Sequence, residues 1–384
     1  MPRTASHSPS VKHLHRIAIV TGTRAEFGLL EPVLRAIRRR RRVQIRLIVT
    51  GMHLLPTFGR TIDEIRGRGW RVDAAVPMQN GRAGAPGEPL ALARGIEGIS
   101  RAIEKLRCDS ALVLGDRIEA FAGACAASVG RRVLVHIHGG DRATGDVDDQ
   151  LRNAITRLAH VHLVASEDAA GRLRRMGEFG WRIHRVGAPG LDDIRACIAS
   201  PGADQRVQRL LGAFARQPYA VVAQHPIGRH AGEEERSMRG TCAAVRASGL
   251  NLVIVYPNSD PGCMGIVRAI KWEAASPDCR VFRSLPRPDY LALASRSAVL
   301  VGNSSSGILE SAHLGVRAVN VGARQDGRLR CGPGVIDVSE RYEAILAGIR
   351  KALRTSPPRR KSGVYGDGRA GERIARLLER LIIT

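Results

Sequence analysis

The sequence predicts an α/β chain built from two Rossmann-like, doubly wound domains with a cleft between them. Three observations carry this prediction. Short continuous Val/Ile/Leu runs alternate with segments of helical period, the pattern of parallel strands covered by helices on both faces. The alternation restarts after RIHRVGAPG (Arg182–Gly190). At 384 residues the chain is long for one core and comfortable for two.

In the first half, RIAIVTGT (Arg16–Thr23) reads as a strand running into a loop, and EFGLLEPVLRAIRRR (Glu26–Arg40) spaces its leucines as a helix does. VQIRLIVTG (Val43–Gly51) is the next strand, followed by a helix through TIDEIRGRG. SALVLGD (Ser110–Asp116) leads into a helix through Ala127, and RVLVHIHGG (Arg132–Gly140) into a helix over DDQLRNAITRLAH. VHLVASED is a further strand. In the second half, strands are predicted at YAVVAQHP (Tyr219–Pro226), NLVIVYPN (Asn251–Asn258), CRVFRSL (Cys279–Leu285), AVLVGNSSSG (Ala298–Gly307) and VRAVNVG (Val316–Gly322). GERIARLLERLII is amphipathic and reads as a closing helix. The predicted division is a disordered leader over 1–15, a first domain over 16–188, a second over 189–365 and the closing helix over 366–384. RTSPPRRKSG (Arg354–Gly363) is a surface linker. Ligands of such sheets bind beyond the carboxyl ends of the strands, where the distinctive loops fall.

Composition narrows the function. No run of about eighteen apolar residues occurs, so no membrane span is expected. The N-terminus lacks the apolar stretch of a secretory signal, which points to the cytoplasm. The 7 cysteines are scattered without a C-x-x-C pair, so reduced thiols are expected rather than disulfides or zinc. A net charge of +24 would suit nucleic acid. The excess, however, is nearly all arginine spread along the whole chain, with no interleaved aromatics and no recognisable nucleic-acid module. The reading is therefore no nucleic-acid partner, and a field that favours a small phosphate-bearing substrate.

The loops agree. TGTRAEFG (Thr21–Gly28) leaves a strand and opens a helix, with Arg24 placed to fork onto phosphate. It is not a G-x-G-x-x-G fingerprint, and no metal-ligand spacing is present, so neither NAD nor a metal is expected. VGNSSSGILES (Val301–Ser311) sets Ser304 and Ser305 at a helix start, an anion cradle or an ordinary serine cap, with Glu310 suited to ribose hydroxyls. GARQDGRLR (Gly322–Arg330) supplies Arg324, Gln325 and Arg328, while QHPIGRH and YPNSDPG present His225 and Asn258. Four such loops in one domain describe a nucleotide pocket.

The stretch from Leu112 to Ile155 gathers Asp116, Glu119, His136, His138, Asp141, Asp146, Asp148 and Asp149 around glycine-rich turns. Asp148 and Asp149 begin a helix and suit its N-terminus. His136 and His138 alternate on a strand, so one of them suits the core. The remaining reading is acid/base chemistry, in which neighbouring groups push each other's pKa values apart.

Taken together, TGTRAEFGLL, VTGMHLLPTFGRTIDEI, VLGDR, HIHGGD, DDQLRNAITRLAH, YPNSDPG, GNSSSGILE and RQDGR resemble, in order and spacing, the hydrolysing UDP-N-acetylglucosamine 2-epimerases of sialic and legionaminic acid synthesis. The resemblance covers about residues 16–340. It implies a GT-B arrangement with the site in the interdomain cleft, and commonly a homo-oligomer. It implies UDP held by His225, Asn258, Ser304, Ser305, Glu310 and Arg324, with Gln325 and Arg328 nearby. Arg24, Arg117 and Arg152 would act from the first domain. Proton transfer would fall to Asp116, His138, Asp141, Asp148 and Asp149. The implied chemistry is anti-elimination of UDP across C1–C2, then hydration to the free sugar inverted at C2. Three departures from the pattern stand out, the first of them at two positions of one loop. Asp141 stands where many relatives have Glu, and His138 where some have a catalytic Glu. Asn153 follows Arg152 in place of His, and Arg317 replaces a common Pro. The first two leave one proton-transfer residue open. A non-hydrolysing 2-epimerase and a GT-B glycosyltransferase are the alternatives, and UDP-N-acetylglucosamine and UDP-N,N'-diacetylbacillosamine both remain as substrates.

Overall fold

The computed structural model describes residues 14–79, 87–142, 147–199, 202–258, 260–356 and 363–381. Asp146, most of the expected leader and most of the 354–363 linker lie outside the described residues.

Two parallel sheets form. The first contains β1 (His15–Thr21), β2 (Val43–Thr50), β3 (Ala74–Val76), β4 (Ser110–Leu114), β5 (Val133–Ile137), β6 (Val161–Val164) and β7 (Ile183–Arg185). Their order is β3-β2-β1-β4-β5-β6-β7, parallel throughout. The second contains β8 (Tyr219–Ala223), β9 (Asn251–Val255), β10 (Cys279–Phe282), β11 (Val299–Gly302), β12 (Ala318–Val321) and β13 (Val335–Val338). Its order is β10-β9-β8-β11-β12-β13, again parallel. Strand order reverses between β1 and β4 and between β8 and β11, and there the loops beyond the strands part to leave a crevice.

The central strands are buried on both faces because their sequences are apolar without alternation: every residue of β4 and of β12 is buried. Thr23 caps the helix Arg24–Arg38, its hydroxyl accepting the Glu26 N–H at 3.2 Å. β3, β7 and β13 are absent from the sequence reading. All are edge strands of 3 or 4 residues with partly exposed positions, so none carries a continuous apolar run. The helix Glu88–Lys105 is also hard to read, because Gly95 and Gly98 interrupt its pattern. The sheet needs them: a Cβ on Gly98 would fall 2.4 Å from Val76 Cγ1.

The closing helix, Ala370–Leu381, returns to the first domain. Ile374, Ala375 and Leu378 join the core of Ile17, Leu30 and Leu34. Asp192, just after the first crossing, accepts the N–H groups of Ala370 and Gly371 at 2.9 and 2.6 Å. Burial pushes its carboxyl up to about 6 in spite of these bonds. The chain thus crosses between domains twice, and the crossings are tied where the Ala188 N–H donates to Tyr365 O at 2.8 Å. Among the described residues no helix is long and apolar enough to cross a membrane.

Candidate active site

The loops beyond the strands of both sheets meet in one cleft. On the first-domain side, β4 ends at Gly115 (φ +83°), which turns the chain so that Asp116 and Arg117 follow the strand. β5 ends on His136 and Ile137, and His138 follows it directly. His136 is fully buried, donating from Nε2 to Gly115 O at 2.8 Å with Nδ1 3.3 Å from the Thr156 hydroxyl. Burial pushes its imidazole down to about 4, so it is the neutral core histidine of the pair.

His138 differs. It holds φ +66°, a left-handed conformation uncommon outside glycine, which turns the loop back so that its Nδ1 lies 2.9 Å from Asp141 Oδ2. Both residues are buried. Burial alone would raise the Asp141 carboxyl, but the His138 hydrogen bond and the charges of Arg328 and Arg172 hold it below its ordinary value. An ionised carboxylate on Nδ1–H leaves Nε2 as the basic nitrogen of His138. Arg152 is 2% exposed and donates to His138 O at 2.9 Å and to Asp116 Oδ2. It therefore couples the two groups from behind. Expected among the substrate contacts, Arg152 has both its Nη groups engaged by the protein itself.

On the second-domain side, Asn303 organises three loops. Its Oδ1 accepts the His225 N–H at 2.7 Å and its Nδ2 donates to His225 O at 2.8 Å. Its carbonyl accepts Gln325 Nε2 at 2.8 Å and Arg324 Nη1 at 3.4 Å. His225 Nδ1 accepts the Asn258 N–H at 3.1 Å, and burial with Arg324 nearby pushes this imidazole down to about 3. His225 is then a neutral donor through Nε2. Gln325 is 0% exposed, and its oxygen accepts Arg328 Nη1 at 2.9 Å. Expected to contact substrate, Gln325 has each end of its amide bonded within the protein.

The serine-rich loop takes the serine-cap form of its sequence reading. The helix it opens is only Ser305–Leu309, and Glu310 stands at the break before Ser311–Leu314. Ser304 caps the Ser306 N–H, as an ordinary N-cap does. Glu310 is buried at 4% exposure, accepting from Arg287 Nη2 at 2.9 Å and from the Ser306 hydroxyl at 2.7 Å. It lines a cavity of about 200 Å³ with Ser304, Ser305, His225, Tyr256 and Asn258, opposite Arg24, Met52 and Phe58 of the first domain. The Arg24 guanidinium is anchored to Glu64 through Nε and Nη2, while its buried Nη1 has no hydrogen-bond partner among the described residues.

Ion pairs cross the cleft between these halves. Arg117 Nη1 donates to Asp260 Oδ1 at 2.6 Å, and Arg324 Nη2 approaches Asp148 Oδ2 at 3.5 Å. Arg172 bridges Gly140 O at 2.8 Å and Gly327 O at 3.0 Å. Burial lowers the Arg117 pKa, but Asp260, Glu119 and Asp148 outweigh it and raise the net value. Burial likewise opposes ionisation of Asp260, which Arg117 and Arg324 restore, holding its carboxyl low. Such an arginine-rich, desolvated cleft suits a diphosphate, which would replace the carboxylates as the counter-charge. Asp149 lies apart, 3.8 Å from Arg142. Sequence reading singled out neither Asn303, Asp260 nor Arg172; the first two are polar residues in loops already marked, and Arg172 carries no local signal at all.

A family model described as UDP-N-acetylglucosamine 2-epimerase matches residues 35–379. The chain is 37% identical over 366 residues to a hydrolysing UDP-N,N'-diacetylbacillosamine 2-epimerase of Legionella pneumophila, covering 95% of this chain and 96% of that one. It is 34% identical to a UDP-N-acetylglucosamine 2-epimerase of Neisseria meningitidis, covering 88% of each. Its fold matches, with a TM-score of 0.79 at 16% identity, a Methanocaldococcus jannaschii UDP-GlcNAc 2-epimerase solved with UDP-GlcNAc and UDP, over 95% of this chain and 99% of that one. The architecture is thus the two-domain GT-B type.

Proposed function

Because the chain belongs to the UDP-N-acetylglucosamine 2-epimerase family, we propose that it is a hydrolysing UDP-sugar 2-epimerase acting on a UDP-2-acetamido sugar of the N-acetylglucosamine or N,N'-diacetylbacillosamine type. The observation that carries this reading is the pairing of two chemistries in one cleft. Arg117 and Arg324 reach across it where a diphosphate would sit, and Asp116, Asp148 and the His138–Asp141 pair ring the same space. The hydrolysing branch is favoured by the Legionella pneumophila relative, whose description states hydrolysis.

In this reading the uridine end fills the cavity at Glu310 and Tyr256. Its diphosphate meets Arg117, Arg324 and the Nε2–H of neutral His225. A base on one face takes the C2 proton as the C1–O bond to UDP breaks, with the arginines stabilising the charge that grows on the departing UDP. The 2-acetamidoglucal then gains water at C1, and a proton returns to C2 from the other face. One UDP-sugar and one water yield one UDP and one free sugar of inverted C2. Asp116 has one oxygen tied to Arg152 and another left for proton transfer. His138 offers Nε2 with its tautomer held by Asp141.

Turnover in heavy water tests the reaction. The free sugar should carry one deuterium at C2 with inverted configuration, alongside one UDP per sugar, as read by mass spectrometry and proton NMR. Full retention of the original C2 proton, or recovery of an intact epimeric UDP-sugar, would overturn it.

Glu310→Gln keeps the volume of the side chain and removes its charge. UDP affinity is expected to fall by about 1–3 kcal/mol, the worth of charge-assisted hydrogen bonds to ribose hydroxyls. Calorimetry decides this; unchanged UDP binding in a folded variant would sink the ribose assignment. Glu310→Ala should additionally lower the melting temperature, since it strands the buried Arg287 without its carboxylate.

A further inference from the structure

Behind the acid side of the cleft lie two carboxyl groups that the reaction above does not use. Glu26, on the helix Arg24–Arg38, and Glu119, on the helix Ile118–Val129, are 6% and 0% exposed. Both close on the backbone of Gly22. Its N–H donates to Glu26 Oε2 at 3.2 Å, and a Cβ there would fall 2.4 Å from Glu119 Cγ. A Cβ on Gly51 (φ +58°) would fall 2.5 Å from Glu119 Oε1. The two glycines therefore make the space that Glu119 occupies. Neither oxygen of Glu119, nor Oε1 of Glu26, has a hydrogen-bond partner among the described residues.

Arg117 is the cation that faces them, its Nε 3.4 Å from Glu119 Oε2 and its Nη1 already on Asp260. From β1, Thr21 offers its hydroxyl to Glu26, and it also lies 3.2 Å from Nε2 of His53 in the turn Gly51–Leu54. Burial pushes His53 down to about 3, so it brings no charge. Arg24 is turned away onto Glu64. Two buried carboxylates cannot both stay ionised against one guanidinium that also serves Asp260. A single proton held between them would satisfy one oxygen of each. Burial and the charge of Glu119 push Glu26 up to about 8, which gives the proton to Glu26.

We propose that Glu119 is a positioning residue: it and Glu26 share a single proton, and it holds the Arg117 guanidinium in line with the interdomain cleft. The positioning role rests on Arg117 being a diphosphate contact, whereas the shared proton does not.

Infrared pH-difference spectra of the substrate-free chain and steady-state kinetics of Glu26→Gln and Glu119→Gln test it. Wild-type protein should show a protonated-carboxyl band at pH 7 that Glu26→Gln lacks. In Glu119→Gln that band should titrate at lower pH, because the neighbouring carboxyl that raises Glu26 is gone. A glutamine at position 26 donates to Glu119 as the acid does, so kcat and KM should stay within about threefold of wild type. Glu119→Gln should raise KM for the UDP-sugar about tenfold or more while kcat changes less than about threefold, the signature of lost uniform binding. Absence of the band, or equal losses in the two variants, overturns the proposal. Arg117→Ala separates the two ways of failing. If it raises KM and Glu119→Gln does not, the positioning role is wrong. If neither raises KM, the diphosphate role of Arg117 falls and the positioning role with it. Should Glu119→Gln fail to fold, the band in wild type and its loss in Glu26→Gln still decide the shared proton.

Discussion

Replacing Asp116 by Asn is expected to lower turnover by roughly 10²–10⁴-fold, the usual worth of a positioned acid or base, with UDP-sugar binding largely retained. In the proposed function the contacts for uridine and diphosphate fall to other residues, chiefly His225, Glu310 and Arg324, so the loss should fall on kcat. Asn keeps an acceptor for Arg152 but removes its counter-charge. Because Arg152 is buried, breaking this pair should also destabilise the fold by about 3–5 kcal/mol. Steady-state release of UDP, with a thermal melt of the same preparation, separates the chemical loss from the structural one. Turnover near wild type in a folded Asp116→Asn variant would remove Asp116 from the proton path. Asp148→Asn should fall in the same range of turnover with substrate binding retained, since the diphosphate itself replaces Asp148 as the counter-charge of Arg324 across the cleft.

The second large effect is expected at the His138–Asp141 pair. His138→Ala should reduce turnover by about 10²–10⁴-fold, and added imidazole should restore part of it, because the cleft keeps the space the ring filled. Asp141→Asn should lose a comparable factor without responding to imidazole. Its amide can present an N–H to Nδ1 and so favour the tautomer with the proton on Nε2, the wrong one for a base. The two variants together, compared with either alone, should show less than additive loss, as residues acting through one step do. Fully multiplicative losses would show that the two residues work separately. The same pair carries a pH signature in stability. Asp141 is held below its ordinary carboxylate value in the fold, so its contribution is present above the unfolded value and is lost as pH falls through the lower folded one. Asp141→Asn should therefore flatten the acid limb of the stability curve.

Much of this was legible in the chain itself. Apolar runs without alternation, such as ALVL before Gly115 and VVA before Gln224, demand burial on both faces and hence parallel sheet. Each ends at a polar or glycine-rich loop, and that placement alone singled out Asp116, His138, Asp141, His225 and Glu310. The identity of those loops is local information: strand, turn and side chain lie within a few residues of one another. The short edge strands β3, β7 and β13 escaped because partial burial leaves no strong pattern.

What a residue does within the marked loops was a different matter. Arg152 and Gln325 look like any other polar loop-side groups until burial shows that their hydrogen bonds are spent inward. His136 and His138 sit two residues apart at the end of β5, yet a left-handed backbone at the second gives one a core role and the other a carboxylate partner. Arg117 and Asp260 are separated by 143 positions, and no periodicity couples them. Period and turn chemistry are properties of neighbouring residues, so the chain states them directly. The charge state and task of a buried group depend on which distant side chains desolvate and pair with it, and those neighbours exist only once both sheets have folded and closed on one another.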